Sequence, residues 1–219
     1  LWYKLDEASG TVAADSATAA GAPHNGTLVT AGTGTGTFST THQVGTGALN
    51  LNGSSSTNGA YVSIPSSLNA LGATTTITIA CWINITTDRA WGRVFDFNNT
   101  SSTGSLFLTT YQSQKTPNSV RFAITTTNNA AEEQIAATGR LTTAAWHHVA
   151  VTYDGRGGAG AANGITIYID GVAVALNRIN SASYVAMENG TAPLQIGREG
   201  PAWRLYNGGL DELRLAARE

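Results

Sequence analysis

Charged residues are scarce in this 219-residue chain: Asp, Glu, Lys and Arg make up 12% of it, about half of the usual ~25%. The 14 acidic and 12 basic residues leave a net charge of −2. So weak and balanced a charge excludes a coiled coil, a basic nucleic-acid-binding protein and a charge-rich disordered tail. No apolar run approaches the ~18 residues of a membrane-spanning helix, so we expect no membrane span.

Cysteine and lysine are nearly absent as well. Cys81 is the single cysteine, so no intramolecular disulfide can form. It lies in an apolar run, and we expect a buried, inert thiol. Lysine occurs only as Lys4 and Lys115, so Thr, Ser, Asn and Gly must cover most of the surface. This composition favours an extracellular or cell-surface protein.

Hydrophobic residues, 42% of the chain, are numerous enough for a sizeable core and recur with the period of strands. One face of residues 76–85 carries Ile77, Ile79, Cys81, Ile83 and Ile85. Two further alternating runs end in the turn signals Asp154-Gly155 and Asp170-Gly171. Other strands are predicted at residues 1–6, 48–51, 60–64, 93–97, 105–110, 120–124, 194–196 and 209–215.

About a dozen such segments separated by turns predict an all-β fold, a two-sheet antiparallel sandwich. Residues 31–36 and 155–164 are rich in glycine and are predicted to be flexible loops. Strand patterns continue on either side of both loops, so we predict a single domain over residues 1–219. The chain begins inside a strand pattern and stops without a tail, which favours a domain excised from a larger multidomain protein.

Several segments together resemble a known family. The most specific are Trp146-His-His-Val-Ala-Val-Thr-Tyr-Asp-Gly and Ile167-Tyr-Ile-Asp-Gly. The opening Leu1-Trp-Tyr-Lys-Leu-Asp-Glu, the central Ile79-Ala-Cys-Trp-Ile and the closing Gly208-Gly-Leu-Asp-Glu-Leu-Arg-Leu match in the same order. They resemble the laminin-G-like family of concanavalin A-like jelly rolls, particularly its bacterial branch. This resemblance implies a jelly-roll β-sandwich over nearly the whole chain, and it leaves the function open.

A structural calcium ion (Ca²⁺) is the first chemical expectation. If the terminal strands pair, acidic residues from both chain ends meet at one rim, and Ca²⁺ takes six to eight oxygen ligands. Family members often hold calcium through an acidic residue of the N-terminal loop, carbonyls near an Asn-Gly turn and the Asp of the closing strand. Carried over, these positions are Asp15, Asn25 and Asp211. The alternative is that Asp15 only caps a turn.

Two stretches mix flat aromatic rings with planar polar groups, the combination that a sugar-binding face needs. They are residues 88–96 and 198–209, and a third loop adds an aromatic residue. The predicted carbohydrate-binding residues are Trp91, Arg93, Tyr111, Trp203, Arg204 and Tyr206. Alternatively, Arg93 and Asp96 pair with other polar residues on the sheet. Trp2, Trp82 and Trp146 fall within strand patterns and are expected in the core or lining it.

No catalytic motif is present. The fold also hosts retaining glucanases, which need two carboxyl groups ~5–5.5 Å apart, and their Glu-x-Asp-x-x-Glu strand motif is missing here. His147 and His148 are neighbours on a predicted strand, so their rings point to opposite faces. We therefore predict that the protein is not an enzyme.

The predicted function is a non-catalytic carbohydrate-binding module of a secreted or surface protein, braced by structural calcium. Its partner is then a glycan. Two alternatives stay open: a protein-interaction or adhesion module that binds a cell-surface protein, and a spacer that stabilises an adjacent catalytic domain. In every case neighbouring domains of the parent polypeptide are expected, and nucleic acid is not.

Overall fold

The computed structural model describes residues 1–18, 23–53, 57–66, 75–97, 104, 106–113, 117–126, 131–188, 190–199 and 204–217, with only the backbone for 131–135. Strands β1 to β17 are numbered along this part of the chain. The helical structure in it is the single 3-10 turn Ala161–Gly164. No helix within these residues has the length and apolarity to cross a membrane.

The strands form two sheets in which the paired strands run antiparallel. The eight-stranded sheet has the order β14-β13-β12-β7-β17-β5-β4, with β1 also paired to β17. Its strands are β1 Trp2–Tyr3, β4 Thr35–Ser39, β5 Ala48–Asn52, β7 Ile77–Ile85, β12 Trp146–Tyr153, β13 Ile165–Ile169, β14 Val172–Ala173 and β17 Gly208–Ala216.

The nine-stranded sheet has the order β15-β11-β10-β9-β8-β16-β6-β3-β2. Its strands are β2 Val12–Ala13, β3 Gly26–Ala31, β6 Gly59–Ile64, β8 Arg93–Phe97, β9 Leu106–Thr109, β10 Arg121–Thr125, β11 Ala131–Ala136, β15 Leu176–Ile179 and β16 Leu194–Ile196. Non-consecutive neighbours in both sheets mean that the chain crosses repeatedly between them, as it does in a jelly roll.

The core fills the space between the sheets. In β7 the predicted alternation is confirmed, because Ile79, Cys81 and Ile83 are each 1% exposed and the residues between them are only partly buried. The nine-stranded sheet packs a row of apolar side chains against it, and this row includes Phe95 and Phe122. Burial of these two facing rows is the main force that holds the sheets together.

Half of the predicted loop at residues 31–36 is strand. β3 ends at Ala31 and β4 begins at Thr35, so only three residues turn between them. The glycine allows the two sheets to approach closely here, because a side chain on Gly36 would overlap Ala60 of the other sheet. The sequence pattern misleads because glycine lowers strand propensity, whereas the tight contact between the sheets requires it.

Three tryptophans expected in or lining the core lie elsewhere. Trp82 is out of phase with Cys81 and Ile83, so it lies on the outer face of the eight-stranded sheet, 5.1 Å from the ring of His148. The ring of Trp2 is 4.7 Å from the Lys4 ammonium. All three tryptophan side chains, including that of Trp146, are only partly buried. Placement of these rings in the core is therefore wrong.

Candidate functional site

The face of the nine-stranded sheet that points away from the core carries an unusual set of side chains. Strand register places Gln195, Asp96, Phe107 and Ala123 side by side across β16, β8, β9 and β10. These residues alternate with core residues and so point outward. Asp96 is nevertheless fully buried and Phe107 is 4% exposed.

Arg93 is the centre of this face and is itself buried, at 2% exposure. Its Nε lies 3.0 Å from Asp96 Oδ2 and its Nη2 lies 2.9 Å from Glu199 Oε1. Burial lowers the pKa of Arg93, and the two carboxylates counteract that effect. Among the described residues its Nη1 has no hydrogen-bond partner. Arg93 thus pairs with Asp96 and also with another polar residue, Glu199, as the alternative interpretation of Arg93 expects.

Trp91 lies over this buried ion cluster. The guanidinium carbons of Arg204, Arg121 and Arg93 are 4.3, 4.9 and 5.3 Å from the centre of its ring. The ring is partly exposed, and the Arg204 side chain is 39% exposed. The surface therefore presents an indole ring surrounded by hydrogen-bond donors, a cation–π arrangement.

The backbone at Trp91 is strained. Its φ is +66°, in the left-handed region, where a bulky residue is a genuine outlier. Such a conformation costs about 1–3 kcal/mol, and strain of this kind concentrates at functional sites. The Trp91 amide donates to the carbonyl of Tyr111 at 2.9 Å, which ties the loop before β8 to the loop after β9.

Tyr111, joined to Trp91 by this backbone hydrogen bond, adds a second aromatic residue to the site. The guanidinium carbon of Arg140 lies 3.5 Å from the centre of the Tyr111 ring, and Arg140 Nε is 3.5 Å from Asp88 Oδ2. Thr110 Oγ1 donates to Asp88 at 2.7 Å. Burial raises the pKa of Asp88, and Thr110 and Arg140 partly offset the rise.

The structure brings together four of the six predicted carbohydrate-binding residues: Trp91, Arg93, Tyr111 and Arg204. Trp203 lies outside the described residues. Tyr206 is a correction, because it is 2% exposed and belongs to the core. Its segment crosses the end of the sandwich: Tyr206 N donates to Gly197 O at 2.9 Å. Tyr206 is therefore closed to a ligand.

Sequence reasoning missed Arg121 and Phe107. Both lie in apolar strands and carry no local signal of a site. They join it only because β8, β9 and β10 pair, which places Arg121 and Arg93 opposite the same residue, Thr109. Phe107 then contacts Arg93, with 3.7 Å between the guanidinium carbon and the ring centre.

The predicted calcium ligands have different hydrogen-bond partners. The carboxylate of Asp15 accepts hydrogen bonds from the backbone of Trp2, Ala17 and His24 at 2.8, 3.0 and 3.0 Å. Asn25 Oδ1 accepts from Asp15 N at 2.9 Å. These are the turn-capping contacts that the alternative role of Asp15 predicts, and calcium binding at Asp15 and Asn25 stays a prediction.

Asp211 is held by a different loop. Its Oδ2 accepts from Gln43 N and Val44 N at 2.9 and 2.8 Å. Its Oδ1 is buried and has no partner among the described residues. Burial raises the pKa of Asp211, and the nearby carboxylates of Glu212 and Asp6 raise it further. Such an oxygen, close to other carboxylates, fits a cation better than Asp15 does. No group of three His, Cys, Asp or Glu that could hold a metal occurs among the described residues.

His147 belongs to a hydrogen-bonded series at the surface. Its Nε2 lies 2.9 Å from Thr142 Oγ1, and its Nδ1 lies 2.9 Å from Asp170 Oδ2. His148 contacts Trp82 instead, so the two rings diverge as predicted. The series links β12 to the turn after β13, and Asp170 is 51% exposed. Its three side chains have the order of a nucleophile–base–acid series.

Comparison with known proteins places this architecture in a family. Residues 55–219 match the laminin G family described as the concanavalin A-like lectin/glucanases superfamily. The chain belongs to this family. The two antiparallel sheets accordingly confirm the predicted jelly-roll β-sandwich. No curated protein matches the chain by sequence.

Solved structures of the same fold are distant in sequence. Domain 4 of AbnA, an extracellular arabinanase from Geobacillus stearothermophilus solved with arabinotriose, is 17% identical, with a TM-score of 0.59 over 87% of this chain and 81% of that one. The botulinum neurotoxin serotype D binding domain is 12% identical, with a TM-score of 0.56 over 99% of this chain and 49% of that one. The botulinum neurotoxin DC binding domain in complex with SialylT is 11% identical, with a TM-score of 0.54 over 98% and 49%. This chain thus spans about half the length of the two toxin domains.

Proposed function

We propose that this chain is a non-catalytic carbohydrate-binding module of a secreted or surface protein, with Trp91, Tyr111 and Arg204 in contact with the sugar. The observation that carries the proposal is Trp91: a strained, partly exposed indole surrounded by three guanidinium groups. An aromatic plate covers the apolar face of a sugar ring, and the donors around it bind hydroxyl groups.

Two further observations support the proposal. The arabinanase domain and the toxin domain, which share this fold, are described with arabinotriose and with SialylT. The low charge and near absence of lysine support a secreted or surface location. Because a shallow site buries few sugar atoms, the affinity is expected to be modest.

A glycan array followed by calorimetry with the best binder, and with arabinotriose, tests the proposal. The informative variant is Trp91→Gly, because glycine adopts a positive φ without strain and the variant should therefore fold. We expect it to lose at least about tenfold in affinity, the loss of one aromatic contact. Trp82→Ala, on the outer face of the other sheet, is the matched control and should bind as wild type. Wild-type affinity in Trp91→Gly, or an array without any bound glycan, would contradict the proposal.

One observation favours a protein-interaction module as a second candidate. On the outer face of the eight-stranded sheet, register aligns Trp2, Arg214, Ala80, Ala150 and Tyr168 in one row. Its aromatic and alanine members are partly exposed. A surface protein captured by wild type and Trp91→Gly, and lost in Trp82→Ala, would support this function. Capture that depends on Trp91 alone would not.

Structural calcium is the remaining part of the proposal. It is supported by the buried Asp211 Oδ1, which has no partner among the described residues and lies near Asp6 and Glu212. We expect calcium to raise the melting temperature and Asp211→Asn to abolish that shift. Loss of the shift in Asp15→Asn as well would support the full predicted set of Asp15, Asn25 and Asp211. An unchanged shift in Asp211→Asn would contradict the assignment.

A further inference from the structure

The surroundings of Trp91 concentrate positive charge in a chain that is weakly negative overall. Five of the 12 basic residues lie in or beside the site. They are Arg89, Arg93, Arg121, Arg140 and Arg204. The described carboxylates among them are Asp88, Asp96 and Glu199. These arginines outnumber the described carboxylates by two.

The ion pairs inside the site leave donors unused. One oxygen, Glu199 Oε1, accepts from both Arg93 Nη2 and Arg204 Nη1, each at 2.9 Å. Arg93 Nη1 is buried with no partner among the described residues. Arg204 contacts Glu199 through Nη1 and is otherwise partly exposed beside the Trp91 ring. Arg140 is 45% exposed over the Tyr111 ring.

We propose that the Trp91 site takes an acidic glycan, an oligosaccharide whose carboxylate is bound by Arg204 while its ring stacks on Trp91. This inference rests on the proposed carbohydrate-binding function. A planar guanidinium pairs with a carboxylate through two parallel hydrogen bonds, and such charge-assisted bonds are about twice as strong as neutral ones. A carboxylate would pair with the partly exposed guanidinium of Arg204, which a neutral sugar would leave without a charged partner on its open side. Uronic acids and sialic acids both supply this carboxylate.

Calorimetry with four probes separates the possibilities. Trigalacturonic acid and its methyl ester share one sugar and differ in charge, sialyllactose carries the carboxylate on a different sugar, and arabinotriose is neutral. We expect at least one of the two acids to bind, and to bind about tenfold or more tightly than arabinotriose. If trigalacturonic acid is the binder, its methyl ester should bind about tenfold more weakly. The preference should fall at ~1 M salt, where the Debye length is about 3 Å.

Arg204→Gln tests the residue. Its side chain is partly exposed, so the fold should tolerate the change, and the preference for the acid should disappear. Arg156→Gln is the matched control: Arg156 pairs with Asp154 in the loop after β12 and is 53% exposed, so its loss should leave the preference intact. Binding of a neutral probe as tight as that of the acids would overturn this inference and leave the carbohydrate-binding proposal standing. If the array and all four probes show no binding, both fail.

Discussion

Two buried aspartates respond to their surroundings in opposite directions. Burial alone would raise the pKa of Asp15, but the backbone donors of Trp2, His24 and Ala17 lower it. Burial raises the pKa of Asp211, and its two backbone donors do not cancel the effect. The folded state therefore favours the carboxylate form of Asp15 and the protonated form of Asp211. Each side chain contributes stability in a different pH range.

Asp15 stabilises the fold above its ordinary pKa of 3.8, and that contribution is lost as the pH falls through its lowered value. Asp15→Asn should therefore lower the free energy of unfolding by about 1–2 kcal/mol at pH 7 and by less at pH 3. Asp211 depends on pH in the opposite direction. Its protonated form contributes stability below pH 3.8, and this contribution is lost as the pH rises through the raised pKa.

Urea unfolding at both pH values, with chelator present, measures these differences. Asp211→Asn serves as the comparison, and its stability relative to wild type should be greater at pH 7 than at pH 3. Equal losses for Asp15→Asn at the two pH values would show that its carboxylate charge is not the source of stability.

At the scale of elements, the hairpin β13–β14 shows how a local signal carries into the structure. Asp170 and Gly171 have φ of +52° and +81°. Positive φ at both turn positions is the signature of a type I′ turn, for which Asp-Gly is a preferred pair. Asp170 also accepts from His148 N at 2.9 Å, which fixes the turn against β12.

Gly171→Ala should destabilise the protein by about 1 kcal/mol. A Cβ on Gly171 meets no atom within 4 Å, so the cost comes from the backbone conformation and not from a clash. The control Val172→Ala alters a neighbouring side chain that is 66% exposed and should change stability by less than about 0.5 kcal/mol. Equal midpoints of chemical unfolding for wild type and Gly171→Ala would count against the positive φ.

For the whole molecule, Cys81 reports on the integrity of the sandwich. It lies in β7, which pairs with β12 and β17. Burial raises the pKa of its thiol to about 12. A thiol in this environment is protonated and shielded from reagents at neutral pH.

Labelling of Cys81 by a thiol reagent should therefore require global unfolding. In increasing urea the labelling rate should follow the free energy of unfolding measured by fluorescence, because opening of an edge strand alone does not expose β7. Fast labelling without denaturant would show instead that β7 is reached by local opening. Labelling in unfolding concentrations of urea provides the fully reactive reference.

The sandwich also separates two surfaces. Its inner faces form the core, so Trp91 and Trp82 lie on the outward sides of different sheets. A glycan at Trp91 would leave the outer face of the eight-stranded sheet free for a neighbouring domain or a partner protein.

The sequence by itself determined the all-β sandwich, because strict alternation as in β7 and β12 allows one buried face per strand. It also determined the Asp-Gly turn and the buried thiol, since both depend on a few adjacent residues. Only the tertiary structure decided which side chains meet. Arg121 joins Trp91 through the pairing of β8, β9 and β10, Tyr206 enters the core because its segment crosses between the sheets, and Asp211 is held by a different loop from Asp15. These contacts join residues far apart in the chain, and local sequence patterns carry no information about them.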